Sequence, residues 1–345
     1  MKNQEWHVAA LALAQRFEPV RLLGEGGYGV VFEVFDRERG ERVALKRLHR
    51  STPSALAAFK SEFRLLSRLE HPSLPELHEL FVEGGEGSFS MELVGGYGLR
   101  EWVGIPPQVV RSETGTATLS GAFPVLDGVA GAPLPGPSSI DAATVARVRT
   151  VVRELLDVLA FVHRSGLVHC DVKPSNVRVT PEGRVVLLDF GLARPLRRAA
   201  GAFAGTPAYA APEQLAGIVT PACDLYAVGA LAWELLVGHA PFGTGVEAAE
   251  NKQRRDPPSL RGLLPPGDDD LAVLVASLLS RDPRAREVAV GRSRPEAVRE
   301  SFVGRADVLA AVDAAVDELA FGAPVVLGSP ILEQIHDVRG GHCGH

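Results

Sequence analysis

Residues 167–176 read L-V-H-C-D-V-K-P-S-N, and residues 186–191 read V-L-L-D-F-G. Between them, the runs at 177–180 and 185–188 flank Pro181-Glu182-Gly183, which predicts a short strand pair closed by a tight turn. Working outward, helical patterns dominate from Asp141 to about Pro295, most clearly over 141–165, 223–237 and 269–281. Toward the N-terminus the order reverses. Residues 18–48 alternate apolar and polar positions and predict three strands, and 77–94 predict two more around a Gly-Gly-Glu-Gly turn. Only 53–69 has helical spacing there, with Ser51 or Thr52 as its cap and His71-Pro72 as its end. A strand-rich first part followed by a helix-rich second part defines an α+β class.

The whole chain is consistent with a folded protein of this kind. Its 345 residues are 46% hydrophobic and 23% charged, enough to bury a sizeable core. The net charge of −6 excludes a strongly basic nucleic-acid binder. Three well-separated cysteines, Cys170, Cys223 and Cys343, cannot all pair, which predicts a reducing, cytoplasmic compartment. The opening M-K-N-Q-E-W-H-V-A-A-L-A-L-A-Q-R is too short and too polar for a leader, and no stretch of about 18 apolar residues predicts a membrane span.

Residues 24–31 read G-E-G-G-Y-G-V-V between two strand-like segments. Gly24, Gly26 and Gly29 let the backbone turn tightly and approach phosphates without side-chain clash. A dinucleotide fingerprint needs a helix next, whereas Val30-Val31-Phe32-Glu33-Val34 continues as strand. The run V-A-L-K at 43–46 then places Lys46 at a strand end, where its ammonium can meet two phosphates. Glu62 lies mid-helix, placed to orient that lysine; the plainer reading is a surface salt bridge.

With G-T-P-A-Y-A-A-P-E at 205–213, these motifs resemble, in order and spacing, the signature set of protein kinases over residues 18–296. The resemblance implies a two-lobed fold: an antiparallel N-lobe sheet with one main helix (18–94), an insertion (104–140) and a mainly helical C-lobe (141–296). It implies ATP and Mg²⁺ as cofactors, and a protein substrate phosphorylated on serine or threonine in bacterial signalling. By resemblance Asp171 is the base for the acceptor hydroxyl, Lys173 meets the transferred phosphate, and Asn176 and Asp189 hold the metal. Lys46, with Glu62 as partner, holds the α- and β-phosphates, and Thr206 bonds Asp171 and Lys173. Glu213 pairs with Arg286, and Asp224 anchors the catalytic-loop backbone. Met91, the Glu92 carbonyl, the Val94 amide, Val31 and Ala44 line the adenine site, while Leu66, Phe190 and His169 match a hydrophobic spine.

Two positions depart from the family pattern. Cys170 replaces the arginine of His-Arg-Asp, and residues 192–205 contain no Ser, Thr or Tyr to carry a phosphate for it. The two absences explain each other, and predict activity that does not depend on activation-loop phosphorylation. Arg178 stands where the family places a large apolar residue under the adenine, either stacking on the base or weakening nucleotide binding. The alternative these departures favour is a pseudokinase scaffold that binds nucleotide or partners without turnover.

The remaining segments carry weaker signals. Residues 104–140 are rich in Pro, Gly, Ser and Thr and predict a surface loop, with Ser112, Thr114, Thr116, Thr118, Ser120, Ser138 and Ser139 as candidate autophosphorylation sites. Residues 1–17 read as an N-terminal extension. In 297–345, Phe302-Val303-Gly304-Arg305 with the helix pattern after it resembles the start of an ATPase domain, but no Gly-Lys-Ser/Thr follows, which predicts a stub without ATPase activity. The closing H-C-G-H lacks a further ligand cluster and reads as tail rather than metal site.

Overall fold

A computed structural model describes residues 11–26, 29–48, 52–83, 86–105, 108–111, 117–120, 140–196, 203–257 and 259–293. A short helix α1 (Leu11–Arg16) leads into β1 (Phe17–Gly26), β2 (Gly29–Asp36) and β3 (Glu41–Leu48). Helix α2 (Pro53–Leu66) follows, then β4 (Leu77–Glu83) and β5 (Glu86–Glu92). These five strands form one antiparallel sheet in the order β1-β2-β3-β5-β4. Thr52 caps α2 by accepting from Ala55 N at 3.2 Å. The helix ends at Leu66, ahead of the expected His71-Pro72 stop, because a tight turn in which Leu69 N donates to Leu66 O already breaks its ladder.

The sheet buries Phe17, Val34, Val43 and Leu45 on one face, while Leu48, Phe59 and Phe89 pack between the sheet and α2. Arg16, in the segment expected as an extension, grips this lobe: it bonds Asp36 at 2.8 and 2.9 Å and Glu79 at 2.7 and 2.8 Å. Burial opposes ionisation of Asp36, but Arg16 and the N–H groups of Glu38 and Arg39 hold its carboxyl below the usual range.

After β5 the chain crosses to the second lobe through β6 (Tyr97–Gly98) and α3 (Leu99–Trp102). The insertion expected as a loop contains an antiparallel hairpin, β7 (Gln108–Arg111) with β8 (Ala117–Ser120). Its two arms are short β-prone runs, Gln-Val-Val-Arg and Ala-Thr-Leu-Ser, too brief to stand out beside the loop composition around them. Of the candidate phosphorylation sites, Thr118 and Ser120 lie on β8, and the other five lie outside the described residues.

The second lobe is built from α4 (Ala142–Arg164), β9 (Leu167–Val168), a single 3₁₀ turn at Pro174–Asn176, β10 (Val177–Val179), β11 (Val185–Leu187) and β12 (Arg194–Pro195). It continues with α5 (Pro212–Leu215), α6 (Pro221–Val237), α7 (Gly245–Arg254), α8 (Asp269–Leu278) and α9 (Pro283–Ser293). Helix α4 presents Val145, Val148, Val152, Leu155, Leu159 and Val162 at helical spacing to the core. Helix α6 is buried all round, from Ala222 to Leu236, and forms the centre of the lobe. Residues 294–345, with the ATPase-like start and the H-C-G-H end, lie outside the described residues. Among the described residues no helix is long and apolar enough to cross a membrane.

Candidate active site

Strand register assembles the first half of the site. Gly24 pairs with Val31, and Gly26 with Gly29, across the β1–β2 turn, whose residues 27 and 28 lie outside the described set. A Cβ on Gly29 would come within 2.2 Å of the Arg47 carbonyl oxygen on β3, so only glycine fits that approach. Val31 faces Lys46 and Ala44 faces Met91 in the ladder, which sets the phosphate-loop strand, the lysine strand and β5 side by side.

Lys46 Nζ lies 2.6 Å from Glu62 Oε1 on α2 and 2.9 Å from Asp189 Oδ1. Lys46 and Glu62 are both buried, which demands this pairing. Burial opposes the Lys46 charge, but Asp189 and Glu62 outweigh it and raise the ammonium above its ordinary pKa. Desolvation likewise opposes the Asp189 carboxylate, yet Lys46 and the Gly191 N–H bring it down to about 2.

The second half grows from the loop between β9 and the 3₁₀ turn. Asp171 Oδ1 accepts from Thr206 Oγ1 at 2.9 Å and from Thr206 N at 3.1 Å. Its Oδ2 meets Lys173 Nζ at 2.7 Å and Asn176 Nδ2 at 3.1 Å, and Lys173 Nζ also donates to Thr206 Oγ1 at 3.1 Å. Asn176 Nδ2 reaches the Asp171 carbonyl at 2.9 Å as well, which turns its Oδ1 the other way.

Two non-glycine residues among those described have left-handed backbone, and both are here: Cys170 at φ 69° and Asp189 at φ 60°. Buried Asp224 of α6 holds the first in place, accepting from His169 N and Cys170 N at 2.8 Å each and sitting 2.8 Å from His163 Nε2. Burial works against that carboxylate, and His163 and the two N–H groups keep its pKa low. His169 Nδ1 accepts from Asp171 N at 3.3 Å, so the ring proton is on Nε2 and is donated to the Leu188 carbonyl at 3.1 Å. Its ring lies 4.5 Å from that of Phe190, edge to face, and Phe190 belongs with Leu66 to the main hydrophobic core. Glu213 and Arg286 form a bidentate pair at 2.6 and 2.9 Å, and fully buried Arg286 also donates to the carbonyls of Ala222, Ser280 and Arg281.

At the other end of the cleft, Met91 and Glu92 end β5, and Val94 is buried just beyond. The Glu92 side chain is turned into an ion pair with Arg184, which also donates to the Pro72 carbonyl at 3.1 Å. On β10, Val177 and Val179 enter the second lobe's core, so alternation turns Arg178 to the cleft side. Its Nη2 donates to the Gly96 carbonyl at 2.5 Å, while its buried Nε has no hydrogen-bond partner among the described residues. Burial pulls the Arg178 pKa down. Gly96, at φ 99°, lies so close to β10 that a Cβ would come within 2.2 Å of the Val179 carbonyl oxygen.

Residues 17–291 match the family model described as "Protein kinase domain". The chain belongs to the protein kinase family. It is 32% identical over 283 residues to serine/threonine-protein kinase PknA of Mycobacterium tuberculosis, an alignment covering 78% of this chain and 56% of PknA. It is 32% identical over 294 residues to serine/threonine-protein kinase PknL of the same species, covering 81% of this chain and 65% of PknL. A probable serine/threonine-protein kinase of Bifidobacterium longum, pknA2, is 29% identical over 284 residues, covering 79% of this chain and 33% of that protein. The chain thus spans between a third and two thirds of the length of these relatives.

Within the kinase frame, several supporting residues escape a reading of the sequence. Gln214 Nε2 donates to the Cys170 carbonyl at 2.7 Å and to the Ala204 carbonyl at 3.5 Å, bridging the catalytic loop and the end of the activation segment. Tyr209 Oη meets Glu234 at 2.5 Å, and Glu234 is paired with Arg100 at 2.6 Å. Cys170 is a packed thiol: it is buried, its Sγ lies 3.5 Å from the Val168 carbonyl, and burial pushes its pKa up, which removes thiolate reactivity. The residue following A-P-E and a buried glutamate on α6 give no local signal, since their partners are set by the approach of distant segments.

Proposed function

We propose that this chain is an ATP- and Mg²⁺-dependent serine/threonine protein kinase. The observation that carries the reading is the Asp171 carboxylate, held by Thr206, Lys173 and Asn176 in the same cleft as the Lys46–Glu62–Asp189 cluster. The hydroxyl of a serine or threonine attacks the γ-phosphorus of ATP, its proton passes to Asp171, and the bond to the β-phosphate breaks with its electron pair leaving on ADP. Lys173, already beside Asp171, neutralises the charge on the transferred group. Lys46 meets the phosphates, and Glu62 keeps its ammonium fixed. The names of the relatives, all serine/threonine-protein kinases, support these acceptors.

The donor set fits Mg²⁺. Asp189 carries an ionised carboxylate, and Asn176 has its amide nitrogen tied back to Asp171, leaving an amide oxygen as second hard ligand. When bound, the metal neutralises charge on the phosphates; two protein ligands suffice because Mg²⁺ keeps water and substrate oxygens.

Activation proceeds without a phosphate in the activation segment. Residues 192–205 hold no hydroxyl side chain, and Gln214 joins the Cys170 and Ala204 carbonyls. A neutral clasp of this kind ties Ala204 to the catalytic loop where no phosphate-binding arginine is present.

Transfer from labelled ATP with Mg²⁺ to a generic basic protein, run beside Asp189→Ala, tests the proposal. Transfer by the parent and none by the variant is expected. Mass spectrometry of the active protein is expected to find no activating phosphate in 192–206; finding one overturns the phosphate-independent part. Arg178 favours a second reading, the pseudokinase: a folded parent that binds nucleotide calorimetrically and transfers nothing would establish it.

A further inference from the structure

Lys252 is a buried charge that the transfer chemistry leaves unused. It lies on α7 and is 1% exposed. Its Nζ donates to three consecutive-turn carbonyls, Pro207 at 2.6 Å, Ala208 at 2.8 Å and Ala210 at 2.7 Å. An ammonium has three donors and no acceptor, so these oxygens take up its full capacity. The Tyr226 ring of α6 lies 5.2 Å away, with Arg286 on the same ring at 5.1 Å. The lysine is itself anchored, since Arg281 Nε donates to its carbonyl at 3.1 Å and neighbouring Asn251 donates to the Phe242 carbonyl at 3.2 Å.

The loop that Lys252 holds begins at the residue that bonds the base. Tyr209 N and Ala210 N both donate to the Thr206 carbonyl, at 3.0 and 3.1 Å, and Thr206 N donates to Asp171 Oδ1, so these N–H groups are not free for the loop's other carbonyls. Its inward carbonyls then need an outside donor, because buried backbone oxygens without partners are costly. Lys252 supplies all three from below, and the Tyr209–Glu234 contact fixes the far side. Thr206 Oγ1 donates to Asp171 Oδ1 at 2.9 Å, so the loop starts beside the proposed acceptor base.

We propose that Lys252 is a positioning residue for the polypeptide substrate, shaping the 206–210 platform through its three carbonyls while touching neither nucleotide nor acceptor. The proposal rests on the kinase reading above. Its consequence is selective: the affinity for acceptor protein depends on Lys252, and the affinity for nucleotide does not.

Burial away from any carboxylate pulls the Lys252 pKa down to about 7. Below that pH the ammonium serves three carbonyls; above it the neutral amine has one donor fewer. Other ionisable groups pack around it. Burial raises the Tyr226 phenol further above its ordinary value; Arg286 lies over the same ring and is paired with Glu213, and Arg281 donates to the Lys252 carbonyl.

The test compares the parent chain with Lys252→Met, using a myelin basic protein acceptor. Lys252→Met is expected to raise the acceptor KM about tenfold, with a much smaller change in kcat and with the calorimetric Kd for Mg·ATP held. In the parent, the acceptor KM is expected to rise as pH is raised through about 7, and in the variant to be flat. An unchanged acceptor KM, or a parallel loss of Mg·ATP affinity, overturns the proposal. Should Lys252→Met fail to fold, Lys252→Gln, which keeps two N–H donors, takes its place, and an acceptor KM unchanged from the parent's overturns the proposal. A parent that binds Mg·ATP but phosphorylates nothing at any pH overturns the kinase reading instead.

Discussion

The two ends of the cleft handle charge in opposite ways. At the transfer end, Lys46 is shared between Glu62 and Asp189 within 2.9 Å, and Asp171 is held from both oxygens by Thr206, Lys173 and Asn176 within 3.1 Å. At the base end, the Arg178 guanidinium meets a neutral carbonyl, that of Gly96, and its buried Nε has no hydrogen-bond partner among the described residues. The difference teaches where this site is constrained. Phosphoryl transfer is positioning and charge neutralisation, so a mispaired charge there is penalised in the rate itself. On the proposed kinase reading Arg178 lies beneath the base, where its tethered guanidinium either stacks on the ring or weakens nucleotide binding.

Substitutions at each end sharpen or break this contrast. Asp171→Asn removes the proton acceptor and is expected to lower kcat about 10³-fold in single-turnover transfer. Thr206→Val keeps the backbone N–H to Asp171 but removes the hydroxyl shared with Lys173, and is expected to cost about 30-fold in transfer, the equivalent of one charge-assisted hydrogen bond. That loss should be the same before and after phosphatase treatment, because the hydroxyl acts as a structural donor. Arg178→Leu is expected to weaken the calorimetric Kd for Mg·ATP only about threefold, the scale of one exposed cation–π contact. Tighter binding by Arg178→Leu would show that the guanidinium obstructs the base. A kcat loss matching that of Asp171→Asn would erase the distinction between the two ends.

A second contrast lies within the activation segment. Its start, from Asp189 to Pro195, is tied by the Lys46 pair and by β12 on β9, whereas its end is tied by Gln214, Thr206 and Lys252. The carbonyls at the end of the segment are satisfied by an amide and a buried ammonium, groups present in the sequence from the outset.

Much of this site was legible before any coordinates. Lys46 and Glu62 were paired by the resemblance to the kinase signature, where the residues alone read as readily as a surface salt bridge, and the structure brings them to 2.6 Å. Glu213 with Arg286, and Asp224 with the catalytic-loop backbone, meet as their motifs implied. The hairpin over 108–111 and 117–120 was hidden by the Pro- and Gly-rich composition around it. Gln214, Lys252 and the Arg100–Glu234–Tyr209 chain were invisible for a different reason. Lys252 lies in the polar pattern Glu-Asn-Lys-Gln-Arg-Arg, which reads as a solvated helix end, and only the packing of α7 under the 206–210 loop buries it.

The sequence, through its resemblance to protein kinases, pointed to the residues proposed for phosphoryl transfer and their order, and showed no hydroxyl over 192–205. These are properties of residue type and spacing, local along the chain. Tertiary structure decided which oxygens those charges meet: that Arg178 reaches Gly96 and not a carboxylate, and that Gln214 takes the Cys170 carbonyl. It also placed Lys252 as the donor for the loop beside Asp171. Each of these contacts joins segments dozens of residues apart, and periodicity along a chain does not encode which distant carbonyls will be buried together.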